Sequence, residues 1–279
     1  AGGAEVLSSI LWKNKLKAQA FIAGPAIKIF NRKVTLSKAS TLDQLLSNID
    51  ILLTGTSYPA RLEWEAIKLA KKKSIKTIAF LDSWINYRVR FLRENQLIVP
   101  DIVCVSDDYA YQKAKEELLE FNIKRIDNFY KEYIMYSSQQ LEKPEPSITK
   151  AKKILYVSEP TSLVGLKLFG NEKYWGYTEF EALDFFFANL DLLNVDIDEI
   201  IIKPHPSESS EKYSKYLTNL SYININSDAP LHELINTTDI IVGCTSMAMF
   251  VATWLEKRVI SSIPPGGRGF YLPRDDIMF

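Results

Sequence analysis

The chain has 279 residues, enough for two cores of ordinary domain size, with one large α/β domain as the other option at this length. Hydrophobic residues make up 47% and charged residues 24%, which excludes a disordered chain or a highly charged tail protein. Lys plus Arg and Asp plus Glu each total 34, so no global field draws the chain to DNA, RNA or another polyanion, and any anion site must be local.

No apolar run approaches the roughly 20 residues that span a bilayer, and AGGAEVLSSILW lacks the basic region and cleavage pattern of a signal peptide. Cys104 and Cys244 are too few for a stapled secreted scaffold, and both lie in apolar segments that end predicted strands, where reduced core thiols are usual. These readings predict a cytoplasmic protein.

In chain order, Ala4 to about Leu16 reads as an amphipathic helix, and Ala18–Ile22 and Ile51–Thr54 read as buried strands separated by the helical segment TLDQLLSN. A helix over Arg61–Lys72, strands over Thr77–Phe80 and Ile102–Val105, and a helix over Asp108–Glu120 continue the alternation. This half predicts an open, mostly parallel sheet covered by helices. From Tyr136 the sequence becomes YSSQQLEKPEPSITKAK, whose two close prolines and polar residues disfavour a packed element. The domain boundaries are therefore set at 1–136, a linker 137–152, and 153–279.

The second half alternates again: ILYVSEP, a helix over about Thr178–Leu193, EIIIKPH, a helix over Glu211–Leu217, YININ, the helix LHELINTT, DIIVGC, another helix, and RVISSIP. The fold expected is α/β, two Rossmann-like domains. In such sheets ligands approach the carboxyl ends of the strands, so function should lie there.

Two strand ends carry the chemistry. In IIKPHPSESS a hydrophobic strand runs into Lys203 and His205, a turn stiffened by Pro204 and Pro206, and the hydroxyls of Ser207, Ser209 and Ser210. Lys203, His205 and Ser207 are candidate phosphate ligands, with a solvent-facing turn as the plainer reading. In DIIVGCTSMAMF a buried strand passes through Gly243 into a helix whose first amides suit an anion. Thr245 and Ser246 either contact that anion or cap the helix. The GxxxxGK[ST] spacing of a P-loop is absent.

The succession strand-KPHP-hydroxyl-helix, then VGCTSMAMFVATWLEKRVISSIP, resembles the C-terminal nucleotide-sugar domain of GT-B glycosyltransferases, especially bacterial sialyltransferase-like and capsule-polysaccharide transferases. The resemblance covers mainly residues 153–265. It implies a GT-B-like pair of Rossmann-like domains facing an interdomain cleft, with His205, Thr245 and Ser246 on the donor phosphate. AGGAEVLSSILWKN resembles the loop and helix that follow the opening strand of such a fold, and TGTSYPARLEWEAIKLAKKKSIKTIAFLD its internal glycine loop and next α/β unit. On that basis the first strand would precede Ala1 and closing helices would follow the PPGG loop, with a short natural domain as the other reading.

The resemblance implies a metal-independent glycosyltransferase with no cofactor beyond a nucleotide-sugar donor, a CMP-linked nonulosonic acid ahead of a UDP-sugar, and a glycan or polysaccharide acceptor. It also admits peripheral association with membrane-linked assembly machinery at the inner face of the membrane. Gly3, Gly55, Thr56 and Ser57 fall on the acceptor side, where Glu63 and Glu65 stabilise the following helix or polarise an acceptor. Asp82, ending the strand in AFLDSW, and Glu5 are the candidate carboxylates for proton removal from the acceptor. The acidic-acidic-glycine signature of sialyltransferases is absent from this half. Glu159 is expected to orient the donor's ribose or base, and Gly266 and Gly267 in PGGR to flex against its diphosphate or sugar. Tyr174-Trp175-Gly176-Tyr177 reads either as a sugar platform or as core. Asp107 reads with Asp108 as a helix cap, His232 as structural, and two isolated histidines make no zinc site. The other readings are a nucleotide-sugar hydrolase or epimerase of the same architecture, and a noncatalytic sugar-binding module.

Overall fold

The computed structural model describes residues 2–58, 60–141, 151–217 and 221–268. The chain divides into two compact units, residues 1–133 and 134–279. Each is built on a parallel sheet flanked by helices, a pair of Rossmann-like domains. No helix among the described residues is long and apolar enough to cross a membrane.

In the first unit four strands pair in sequence order: Ile51–Thr54, Lys76–Phe80, Ile102–Val105 and Ile123–Arg125. Side chains alternate between the faces of a strand. Leu52 packs with Ala66 and Ala70 of the helix Leu62–Lys72, while Leu53, Ile78 and Phe80 pack with Val6, Leu7 and Ile10 of the helix Gly2–Asn14. The predicted buried strand at Ala18–Ile22 is corrected to two residues, Gln19–Ala20, paired with Ser37–Lys38 in a separate two-stranded sheet. Its side chains are only half-buried. Asp107 caps the helix Asp108–Glu117 by accepting from the Ala110 amide at 2.6 Å, as its position suggested.

A second correction concerns the start of the polar linker. Residues 136–140 continue the helix Phe129–Gln140. Its first turns are anchored by Tyr130 and Tyr133, whose rings lie 5.0 and 4.3 Å from the buried Lys33 ammonium, and Trp12 meets Tyr133 edge-on. Once nucleated, a helix adds residues at little cost, so it runs through the polar SSQQ stretch. Residues 142–150 lie outside the described residues.

In the second unit five parallel strands stand in the order Ile223–Ile225, Ile197–Lys203, Lys152–Val157, Ile240–Gly243, Arg258–Ser261. The central strands are near-continuous aliphatic runs because both faces are covered. Ile154, Tyr156, Ile200, Ile202, Ile240 and Val242 form one core with Leu183 and Phe186 of the helix Glu179–Ala188. Thr178 and Glu181 close that helix's first turn with reciprocal hydrogen bonds. The segment predicted as a helix over Glu211–Leu217 is a 3-10 helix, Ser210–Tyr216. Its buried residues Tyr213 and Tyr216 are three apart, the repeat of that tighter helix.

The strand order reverses direction on either side of Lys152–Val157. The chain leaves this strand for Ile197–Lys203 on one side and later crosses from Ile223–Ile225 to Ile240–Gly243 on the other, which places a topological switch point at its carboxyl end.

Candidate functional site

Three neighbouring strands of the second unit end level with one another. Val157 pairs with Lys203 on one side and with Gly243 on the other. The loops that follow therefore begin within roughly 10 Å, two interstrand spacings. They carry Ser158 and Glu159, Lys203 to Glu208, and Cys244 to Ser246.

His205 is half-buried, and its loop defines its ring. The Ser207 amide lies 3.2 Å from Nδ1 and the Ser207 hydroxyl 2.7 Å from it. An amide can only donate, so Nδ1 is the acceptor and the proton of the neutral ring sits on Nε2. Burial pushes the imidazole below its ordinary range, with Glu208 acting in the opposite sense. The residue thus offers a neutral Nε2–H donor near pH 7. Ser209 caps the following turn through the Glu211 amide, while the Ser207 hydroxyl bonds the imidazole. Lys203, predicted beside His205 as a phosphate ligand, donates to the carbonyls of Ala229 at 2.8 Å and Ser227 at 3.3 Å, which ties it to the loop after the neighbouring strand.

At the next loop Ser246 accepts from the Ala248 amide at 3.2 Å and caps the helix Met247–Trp254. The Thr245 amide and hydroxyl both donate to Glu159, at 2.6 and 3.0 Å. The carboxylate expected to orient a ribose therefore sits on the donors expected to hold a phosphate. Burial pushes the Glu159 carboxyl up, opposed by the amides of Thr245, Ser246 and Cys244 that favour its charge. Cys244 is buried behind this loop with its thiol pushed up to about 12 by burial, an inert core thiol. Among the described residues, no three or more His, Cys, Asp or Glu side chains are grouped to hold a metal ion.

The PGGR and YWGY segments meet each other. Arg268 donates its amide to the Trp175 carbonyl at 2.8 Å, and its guanidinium lies 4.1 Å from the Tyr174 ring, which also stacks on Phe169 at 3.6 Å. Gly266 has a positive φ of 83°, and a Cβ on Gly267 would come within 2.5 Å of Ile263 and 2.9 Å of Tyr177. The left-handed backbone explains Gly266 and close packing explains Gly267.

In the first unit the structure brings Gly3, Gly55, Thr56 and Asp82 to one crossing. A Cβ on Gly3 would stand 3.0 Å from the Gly55 Cα, and one on Gly2 would overlap Asp82 Oδ2. The helix Gly2–Asn14 thus begins against the strand-end loop, with Asp82 at its positive end. Arg90 donates to Asp82 at 2.6 Å, to the Thr56 carbonyl and hydroxyl at 3.1 and 3.2 Å, and to Ser83 at 2.5 Å. Ser57 points to Glu63, donating at 2.7 Å. Glu5 is elsewhere: it pairs with Lys33, whose side chain is 1% exposed, and with Arg32 at 3.3 Å. Burial lowers the Lys33 ammonium to about 8, against the pull of Glu5.

Sequence reasoning missed Glu208, Lys212 and Tyr213, which support the His205 loop, and Arg90, which holds Asp82. The signal available was spacing: Glu208 and Lys212 are four apart just beyond KPHP, and Arg90 lies eight residues beyond Asp82.

No protein-family model matches the chain, and no curated protein matches it. Among solved structures, the UDP-GlcNAc 2-epimerase of Methanocaldococcus jannaschii, determined with UDP-GlcNAc and UDP, aligns over 93% of this chain and 80% of its own at 12% identity, with a TM-score of 0.59. The wall teichoic acid polymerase TagF aligns over 96% of this chain and 69% of its own at 14% identity, with a TM-score of 0.50. The chain has a GT-B-like fold. Likeness at this identity speaks for architecture alone.

Proposed function

We propose that the chain is a nucleotide-sugar-dependent glycosyltransferase whose second unit grips the donor phosphate. The observation that carries this reading is the set of donors at the switch point: His205 with its proton on Nε2, one strand away from Glu159 and two from the Thr245 amide and hydroxyl. A phosphate oxygen gains most from preorganised donors at the end of a parallel sheet. The GT-B-like architecture supports the same reading, because the aligned epimerase binds a nucleotide sugar.

In the reaction, an acceptor hydroxyl loses its proton to a carboxylate, its oxygen forms the new bond to the anomeric carbon, and the bond from that carbon to the phosphate oxygen breaks. The nucleotide leaves with the bonding electrons, and His205 Nε2–H and the Thr245–Ser246 loop stabilise the charge that develops on its phosphate. Asp82 is the proposed base on the acceptor side, beside Gly3, Gly55 and Thr56, with Arg90 bonded to its Oδ1. Glu5 is set aside because two cations engage its carboxylate. The donor phosphate and Glu159 compete for Thr245, so donor entry displaces that carboxylate.

A CMP-linked nonulosonic acid is the proposed donor, and a glycan or polysaccharide the acceptor. The test is incubation with CMP-, UDP- and GDP-sugars and a mixed glycan pool, following donor loss and product mass together. Donor-dependent mass gain on the acceptor is expected with the CMP-sugar. Donor cleavage without mass gain would replace transfer by hydrolysis, an isomeric sugar by epimerisation, and binding without turnover by a sugar-binding module.

A further inference from the structure

A buried polar chain runs beneath the His205 loop. The His205 amide donates to Glu208 Oε2 at 3.0 Å, and the Glu208 amide donates back to the His205 carbonyl at 2.8 Å, closing a reciprocal ring. The Glu208 side chain is 3% exposed and is held from two further directions. Lys212 donates to its Oε1 at 2.6 Å, and the Tyr213 hydroxyl donates to the same carboxylate at 3.1 Å. Tyr213 has one proton to give, so the Ser158 hydroxyl donates to the Tyr213 oxygen. Lys212 also binds Glu179, which is 2% exposed and accepts from the Ser162 amide and hydroxyl, both at 2.7 Å.

The charges do not balance: two buried carboxylates share one ammonium. Burial opposes the Lys212 charge, but its hydrogen bonds to Glu179 and Glu208 hold the ammonium above its ordinary range. Burial likewise opposes charge on Glu179, yet the hydrogen bonds from Lys212 and Ser162 hold its carboxyl below the usual carboxylate range. Such a cluster is a weak source of net stability and a strong source of fixed geometry, since removing one member leaves its partner buried and unpaired. Its two ends are the Ser158–Ser162 loop, which carries Glu159, and the His205 loop.

From this arrangement we infer that Glu208 is the positioning residue of the site, fixing the main chain at His205 so that Ser207 reaches Nδ1 and the imidazole presents Nε2–H. Lys212 and Tyr213 hold Glu208 in that role, and through Glu179 and Ser158 the same chain couples the His205 loop to the Glu159 loop. The inference rests on the proposed function for what Nε2 meets, but the ring geometry stands independently of any ligand. Among the described residues, the charged and titratable groups hydrogen-bonded into this chain beneath the loop are Glu208, Lys212, Glu179 and Tyr213.

The chain has two histidines, so 15N and 13C imidazole spectra of the whole protein resolve His205 after assignment by His232→Ala. In the wild type His205 is expected as the Nε2–H tautomer, titrating below about 6.5. Glu208→Gln keeps an acceptor for the His205 amide and removes the charge that favours the imidazolium, so the tautomer persists and the midpoint falls further. Glu208→Ala frees the loop, so the tautomers mix and the midpoint rises toward the unperturbed value. A role in stability alone would move the melting temperature and leave these opposite shifts absent. Lys212→Met, which strands two carboxylates, is expected to mix the tautomers as well, and carries the test with Glu208→Gln if Glu208→Ala does not fold. CMP and inorganic phosphate are then titrated: Glu208→Ala should weaken both at least tenfold and Glu208→Gln less than threefold. Unchanged tautomer and midpoint in Glu208→Ala, or in Lys212→Met if only that variant folds, would overturn the positioning role. Spectra as expected with no wild-type binding of either probe would instead overturn the donor-phosphate reading and leave the positioning role standing.

Discussion

The two units handle their strand-end polar residues differently. In the first, the carboxylates available for chemistry are closed into ion pairs: Asp82 with Arg90, and Glu5 with Lys33 and Arg32. In the second, the strand-end polar groups are held mainly by hydrogen bonds to amides and hydroxyls, which fixes the His205 proton on Nε2 and puts the Glu159 carboxylate on the Thr245 amide and hydroxyl. An ion pair with one cation leaves Asp82 a second carboxylate oxygen, whereas Glu5 is engaged by two cations. On the proposed reading, the second unit supplies the phosphate donors and the first the carboxylate beside its glycine crossing.

The largest test of that contrast is His205→Ala, which should lower donor turnover by about 10²-fold, the usual scale for loss of one preorganised donor to a developing oxyanion. Turnover within twofold of wild type would end the phosphate role. Asp82→Asn should then reduce kcat by at least tenfold, while Glu5→Gln should act chiefly on thermal stability, because Glu5 neutralises a buried lysine. Equal losses in kcat from the two variants would erase the distinction between the carboxylates.

Glu159→Gln should tighten CMP binding several-fold at neutral pH by removing a competing charge from the Thr245 donors. Because burial raises the Glu159 carboxyl, protonation neutralises it as pH falls, and the difference between wild type and variant should shrink in that direction. A calorimetric titration at pH 5 and pH 7.5 reads both effects. Weaker binding by Glu159→Gln at neutral pH would mean that the carboxylate contacts the ligand favourably.

Two stability effects are smaller. Gly3→Ala should cost roughly 1–3 kcal/mol by pressing a methyl group onto the Gly55 backbone, visible as a lower denaturation midpoint. Lys33 has its ammonium lowered to about 8, so the unfolded chain holds this proton more tightly than the folded one between about 8 and 10.5. The stability of wild type relative to Lys33→Met should therefore rise with pH across that window, and a flat difference would show that burial does not disfavour the charge.

Much of this was legible in the sequence. Uninterrupted aliphatic runs such as EIIIK and DIIVG announced the central strands, and Asp107 announced its helix start. Strand-end polar residues also marked where Glu159, His205 and Thr245 would lie. What stayed hidden was pairing at long range. Nothing near Glu5 in sequence shows that Lys33 lies over two tyrosines 97 and more residues away, or that Arg90 closes on Asp82. The helix Phe129–Gln140 was obscured because its anchors are tertiary, and Gln19–Ala20 because a short apolar run does not disclose whether a second layer covers it.

The most direct measurement is calorimetric titration of CMP into wild type, His205→Ala and Thr245→Val, with melting curves confirming folded variants. The donor-phosphate site predicts saturable wild-type binding that falls at least tenfold in His205→Ala and by a smaller factor in Thr245→Val, where the amide remains. Equal affinity in all three proteins would contradict it.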